Sequence, residues 1–254
     1  MNSIERFTGR VQTYNRFRLR YPTTVVLDRL NRWCNLQPHW LIADVGAGTG
    51  MLSEVFLSNG NPVIAIEPNE EMRAACNELL TQWPQLELRD GTAETTGLLN
   101  NSVDIVAAGR AFHWFDVPRA LTEFRRILHP TGWLVLVSLG RAKDDTPQYR
   151  DFEALLTSAS TDYTHVRAGY RVHDNLDDVF LADRHSEQIP SEQQLPWEAF
   201  LGQTMSLSVV PQPDDPRFPT FTNQLRDHFQ TYAVDNLITI PTTCWIDVGR
   251  LSTQ

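Results

Sequence analysis

The chain has only three cysteines, Cys34, Cys76 and Cys244, widely spaced and odd in number. That argues against a disulfide framework or a zinc site, and leaves small buried hydrophobes in a reducing compartment as the expectation. No apolar run approaches the roughly 20 residues needed to span a bilayer, so no membrane association is expected. The stretch MNSIERFTGRVQTYNRFR carries charge but no apolar core, so a secretory signal is not expected and a cytoplasmic location is. Basic residues are outnumbered, 22 Lys and Arg against 31 Asp and Glu, for a net charge of −9. No nucleic-acid partner is therefore expected, and the cluster Arg6, Arg10, Arg16, Arg18 and Arg20 reads as a solvated face. Tightly spaced His, Cys, Asp and Glu are missing, so no metal site is expected. There is no internal repeat and no low-complexity tract.

What is present is an alternation of strand-length apolar runs with helix-length segments, the pattern of a parallel sheet with crossover helices. Strands are expected at Leu41–Val45, Pro62–Glu67, Leu86–Arg89, Val103–Ala108 and Trp133–Leu139. Runs such as LIADV, VIAI and WLVLV are almost continuously hydrophobic, as strands buried on both faces should be. Helices are expected at Thr49–Ser58, Asn69–Gln82 and Val117–Leu128. Asp116 is placed to cap the last of these, Pro118 sits in its first turn, and His129-Pro130-Thr131-Gly132 should stop it. Two helices, Ser3–Tyr14 and Thr23–Asn35, precede the sheet. Beyond it come a helix from Thr146-Pro147 to Ser158, a strand at Gln188–Gln194 and a helix at Trp197–Leu207. A loop at 211–219, a helix at Phe218–Tyr232 and a final strand or hairpin at Leu237–Leu251 complete the pattern.

The strongest motif is Asp44-Val45-Gly46-Ala47-Gly48-Thr49-Gly50, where a buried strand runs through glycines straight into a helix. Such a turn needs unusual backbone angles and lets a ligand approach without a Cβ in the way. The second strand ends in Ile66-Glu67-Pro68, and an acid there can accept hydrogen bonds from a ribose diol or cap the next helix. No Gly-Lys-Ser/Thr follows the glycines, which excludes a phosphate loop, and Gly48 and Gly50 are one residue closer than a dinucleotide fingerprint requires. Asp44 would repel a pyrophosphate but suits a cationic ligand.

At these residues the chain resembles the class I S-adenosylmethionine (SAM)-dependent methyltransferases, in particular their type 11 group. The resemblance is carried by Asp44–Gly50, Ile66-Glu67-Pro68-Asn69, Asp90-Gly91-Thr92-Ala93-Glu94 and VDIVAAGRAFHWFD from Val103 to Asp116. It covers residues 40–140 well. Tyr14, Arg18, Tyr21, Pro22, the phrase Phe112–Asp116 and Ser206-Leu207-Ser208 look like a subgroup related to trans-aconitate methyltransferases, whose N-terminal segment folds over the cofactor. The resemblance implies a Rossmann-like α/β fold, seven strands with one antiparallel, in a single domain. Its parts would be lid helices over 1–35, a SAM-binding core over 36–140, a small cap over 141–184 and completion of the sheet over 185–254. It also implies that Gly46, Ala47, Gly48 and Gly50 line the methionine end of SAM with Asp44 nearby, and that Glu67 beside Pro68 binds the ribose. Thr92, Ala93 and Glu94 would border the adenine, Ala108 and Gly109 would face the methionine, and Tyr14, Arg18 and Tyr21 would come from the lid.

The chemistry expected is transfer of a methyl group to a small-molecule oxygen, nitrogen or carbon. His113, just past the fourth strand, is the candidate general base, or else it orders a turn and packs on Trp114. Trp114 and Phe112 are candidate cavity wall. Arg110 stands where the family pattern has glutamine; it could clamp an acceptor carboxylate, with Arg141 as a second clamp, or pair with Asp116. Two other functions share the strand–glycine–helix device: a nicotinamide-dependent oxidoreductase, and a SAM-binding sensor without catalysis.

Overall fold

A computed structural model describes residues 11–160, 163 and 176–251. The start of the expected Ser3–Tyr14 helix, Arg6 and Arg10, and part of the expected cap lie outside the described residues. Seven strands form one sheet: β1 (Ile42–Val45), β2 (Val63–Ile66), β3 (Leu86–Arg89), β4 (Val103–Gly109), β5 (Leu128–Arg141), β6 (Ala182–Leu195) and β7 (Ile238–Arg250). Their order is β3-β2-β1-β4-β5-β7-β6. β1 through β5 pair in parallel, and β7 runs antiparallel to both of its neighbours, β5 and β6.

The described helices are α1 (Val11–Phe17), α2 (Thr23–Cys34), α3 (Met51–Ser58), α4 (Glu70–Asn77), α5 (Val117–Ile127), α6 (Pro147–Ala159), α7 (Trp197–Met205) and α8 (Phe218–Tyr232). Asp116 caps α5 as expected, its side chain accepting from the Arg119 N–H, and Thr146 caps α6 in the same way. Among the described residues no helix is long and apolar enough to cross a membrane. All three cysteines are free thiols and buried.

Side-chain alternation along the strands sorts the core into two faces. Ile42, Ile105, Ala107, Val135 and Val137 pack with Val26 and Leu30 of α2 and with Leu52, Val55 and Phe56 of α3. Ala43, Val45, Val106, Leu134 and Leu136 pack with Leu121, Phe124 and Ile127 of α5. A third cluster, Phe152, Leu156, Phe200, Phe221, Leu225 and Phe229, joins α6, α7 and α8 beside the ends of β6 and β7.

Three elements depart from expectation. The Asn69–Gln82 helix is instead α4 followed by a tighter 3-10 turn, Glu78–Thr81. The stop after α5 is not a turn: Leu128 pairs with Val103 and Trp133 with Ile105, so His129–Gly132 bulge out of a strand already begun. β6 is twice as long as Gln188–Gln194, because an edge strand with an exposed polar flank carries no apolar alternation by which to read it.

Candidate functional site

β1 neighbours both β2 and β4, so the chain order reverses there and a crevice opens at the carboxyl ends of the strands. A cavity of 390 Å³ occupies that crevice, within the roughly 300–1,000 Å³ of small-molecule sites. Of the residues singled out in the sequence, Asp44, Gly46, Ala47, Gly48, Glu67, Pro68, Thr92, Ala93, Glu94, Gly109, Arg110, Trp114, Tyr14 and Tyr21 line it.

The glycine loop forms its floor. Gly48 has φ +58°, and a Cβ built on it meets nothing within 4 Å, so the space over this residue is open. Asp44 is fully buried at the end of β1. Its Oδ2 accepts a 2.6 Å bond from the Ser53 hydroxyl, and its Oδ1 has no hydrogen-bond partner. Burial pushes its pKa from 3.8 up to about 7, against the pull of the Ser53 bonds. Thr49 also lines the cavity and has a buried Oγ1 without a partner. Two polar oxygens buried beside a cavity without partners are costly unless a ligand satisfies them.

Glu67 stitches two loops together: one carboxylate oxygen accepts from the Gly48 N–H and the other from the Asn69 N–H, both at 2.9 Å. The cap of α4 is Asn69, whose side chain accepts from the Met72 N–H, so Glu67 does not fill that role. Each Glu67 oxygen accepts one bond here and can accept another. Burial raises its pKa, partly offset by those two backbone donors. Pro68 and Met72 follow Glu67 in the cavity lining, and Thr92, Ala93 and Glu94 add the loop after β3.

Six residues singled out in the sequence do not line the cavity, among them Arg141 and Phe112, which is packed into the core on the α5 face rather than forming cavity wall. Gly50 caps α3 with a left-handed φ of +82°, and a Cβ there would come within 2.7 Å of Cys76 Sγ and 2.6 Å of Leu79 Cδ1; the backbone angle and the close packing against α4 and the 3-10 turn after it both call for glycine. Gly50→Ala is therefore expected to cost about 2–5 kcal/mol of stability, from overpacking together with the left-handed backbone, measurable by urea denaturation. Ala108 is buried on the α5 face of β4, one step out of phase with Gly109. Arg18 sits with its guanidinium carbon 5.2 Å from the Tyr14 ring centre. His113 lies in a 3-10 turn, Phe112–Trp114, its ring 4.6 Å from that of Trp114 and tilted 44° to it. It is Trp114 that reaches the cavity wall.

Arg110 lines the cavity with a left-handed backbone, φ +55°, and is buried. Its Nε donates to Tyr21 Oη at 3.1 Å and its Nη2 to the Leu19 carbonyl at 2.7 Å. Asp116 is occupied as the α5 cap, and Arg141 bonds Glu153 and Tyr163 Oη, each at 3.0 Å, away from the cavity. Thr49, Met51, Leu52, Met72, Ala111, Phe115, Asp116 and Arg119 line the cavity without having been proposed as site residues. Met51, Leu52, Met72 and Arg119 share a signal that could have found them: each lies in the first turn of the helix leaving β1, β2 or β4.

Among the described residues no group of His, Cys, Asp and Glu could hold a metal ion. The family model described as Methyltransferase domain matches residues 43–136, the stretch that builds this floor. The fold is that of the Rossmann-like methyltransferases. A solved structure from Anaeromyxobacter dehalogenans, provisionally designated a type II methyltransferase, has a TM-score of 0.67 at 25% identity, over 94% of this chain and 100% of that one. A Bacillus halodurans structure, also provisionally designated a methyltransferase, has a TM-score of 0.58 at 19% identity, over 89% of this chain and 99% of that one. An uncharacterized methyltransferase of Mycobacterium tuberculosis is 37% identical over 131 residues, 52% of this chain and 51% of its own. One from Schizosaccharomyces pombe is 33% identical over 132 residues, with the same two shares. The chain thus spans about half the length of the curated relatives it matches.

Proposed function

We propose that this protein transfers a methyl group from S-adenosylmethionine to a small-molecule acceptor at oxygen, nitrogen or carbon. The observation that carries this is one cavity lined by the buried Asp44, whose Oδ1 is unpartnered, by Gly48 with open space above it, and by Glu67 bonded to the Gly48 N–H. These residues fit the cofactor's three chemical parts. Asp44 suits the cationic amino acid end, the spare acceptor capacity of Glu67 suits a ribose diol, and Met72, Ala93 and Phe115 suit an adenine ring. A pyrophosphate beside Asp44 would be repelled, which disfavours a nicotinamide dinucleotide.

When bound, SAM supplies an activated methyl on a sulfonium, and the protein must align the acceptor and keep water out. Tyr14 and Trp114 line the cavity beside the lid and beyond the end of β4, and these are the residues we assign to the acceptor's approach. Trp114 would present an aromatic face, favourable for a cation. His113 touches Trp114 and would act on the acceptor only by way of that ring's position, unless the acceptor reaches past it. A carboxylate acceptor, suggested by Arg110 and by the trans-aconitate-like features, has less support once the Nε and Nη2 of Arg110 are seen bonded to the lid.

Isothermal titration calorimetry with SAM, S-adenosylhomocysteine and NAD tests the proposal. The first two should bind and NAD should not. Glu67→Ala should weaken SAM by roughly ten-fold or more, the loss expected when a hydrogen-bonded carboxylate is deleted. Binding of NAD in preference to SAM would overturn it. Turnover of methyl-labelled SAM over a panel of acceptors separates an enzyme from a non-catalytic sensor.

A further inference from the structure

We propose that Arg110 is a positioning residue that latches segment 14–21 across the methyl-donor end of the cavity, rather than a clamp for an anionic acceptor. The inference rests on the cofactor assignment above, because it is the cofactor that the latched segment would enclose.

Arg110 follows the last residue of β4, at the edge of the cavity floor, and Tyr14 and Tyr21 stand over that floor from the N-terminal segment. Nothing in the local sequence demands a left-handed backbone at an arginine, and a non-glycine residue held there is strained. The strain is matched by what the side chain then reaches. It donates to the Leu19 carbonyl and to Tyr21 Oη, touches Met51 Sδ at 3.5 Å, and places its guanidinium carbon 4.7 Å from the Tyr21 ring centre. A planar guanidinium can hold a carbonyl, a hydroxyl and a ring face at once, which a lysine or glutamine cannot.

Tyr21 is shaped to receive it. The ring is buried, and burial pushes its phenol up to about 12, so it stays a neutral hydroxyl that can accept from Arg110. It lies so close to β4 that a Cβ on Gly109 would come within 2.7 Å of its Oη. The segment has a second anchor four residues before Tyr21. Phe17, at the end of α1, lies flat on Gly202 of α7, where a Cβ would come within 2.4 Å of the ring. Yet α1 itself has no buried residue. Tyr14 packs against the main core and α1 lies along α7, so the segment is held by partly buried contacts at several points, and releasing one of them should loosen it.

Arg16, Arg18 and Arg20 make the segment its own reporter, since trypsin cuts after each. Arg110→Gln should speed cleavage at these bonds in the protein without cofactor. It should also raise the dissociation rate of S-adenosylhomocysteine by about ten-fold, as expected for losing charge-assisted hydrogen bonds. The KM of the acceptor should change little. Tyr21→Phe removes one acceptor oxygen and keeps the Leu19 bond; it should show a smaller effect in the same direction, and it carries the test if Arg110→Gln does not fold. Unchanged cleavage together with unchanged cofactor release would overturn the latch, as would a rise confined to acceptor KM. If the wild-type protein binds no S-adenosylhomocysteine, the cofactor assignment fails, and the cleavage rates still decide whether Arg110 holds the segment.

Discussion

Gly48→Ala should leave the protein folded and remove its capacity to bind SAM. The backbone there is left-handed, so an alanine costs about 1–2 kcal/mol, which a chain of this size tolerates. The new methyl group would meet no protein atom within 4 Å, so nothing in the core has to move. It would instead stand in the cavity, over the floor on which a ligand must lie, and would disturb the N–H that Glu67 accepts from. A loss in affinity of about a hundred-fold or more is expected, the scale of a ligand forced off its hydrogen bonds. Calorimetry beside a thermal melt checks both halves. The contrast is with Gly50→Ala, where the added methyl meets Cys76 and Leu79, so the cost should appear in stability. If the two variants behaved alike, the assignment of Gly48 to the ligand would not stand.

Cofactor affinity should rise as pH rises from about 5.5 to about 7 and then level off, by up to roughly ten-fold per pH unit. The cause is Asp44. In the empty pocket burial holds its pKa at about 7, so near neutrality it is largely protonated on the acid side. Between about pH 4 and pH 7 the folded protein keeps a proton that the unfolded chain has lost, so this group's contribution to stability without ligand falls as pH rises through that window. A cation placed beside Oδ1 reverses the preference and draws the carboxyl toward its charged form. Binding below about pH 7 should then release up to one proton, read by titrations in buffers of different ionisation enthalpy. The charge of Glu67 raises the Asp44 value further, and Glu67 is itself raised, so the variant that isolates the effect is Asp44→Asn. That variant should bind more weakly and lose most of the pH dependence. A flat affinity across this range in the wild-type protein would remove Asp44 from the role.

The parallel half of the sheet was legible because its inner strands β1, β2 and β4 are buried on both sides. Ile42–Val45, Val63–Ile66 and Val103–Gly109 admit little but apolar residues, and the expected ranges differ from the observed ones by one or two residues. The antiparallel half was harder. β6 faces water along most of its length and its composition is that of a loop. The bulge at His129–Gly132 carries a proline and a glycine, and only the pairing of Leu128 with Val103 shows that a strand has begun. In the site, glycines and acids stood out because their chemistry is rare in a strand-to-helix turn. Gly50 does not line the cavity, because two glycines of one motif can serve different ends, one facing open space and one packed against a neighbouring helix. Met51, Leu52, Met72 and Phe115 were overlooked because apolar side chains that line a cavity look in sequence like those that fill a core. The partners of Arg110 were out of reach, since Leu19 and Tyr21 lie about 90 residues away and nothing local links them.

The two margins of the sheet are unlike each other, and both discourage growth. At one, β3 is only four residues long and carries Glu87 and Arg89. At the other, β6 offers a long open flank, but it is studded with Asp183, Glu187 and Glu192 and interrupted by Pro190, which has no N–H to give an incoming chain. A stray strand from another molecule would find too little length on one side and too much charge on the other. Edge-to-edge joining of two such sheets is therefore disfavoured at both margins.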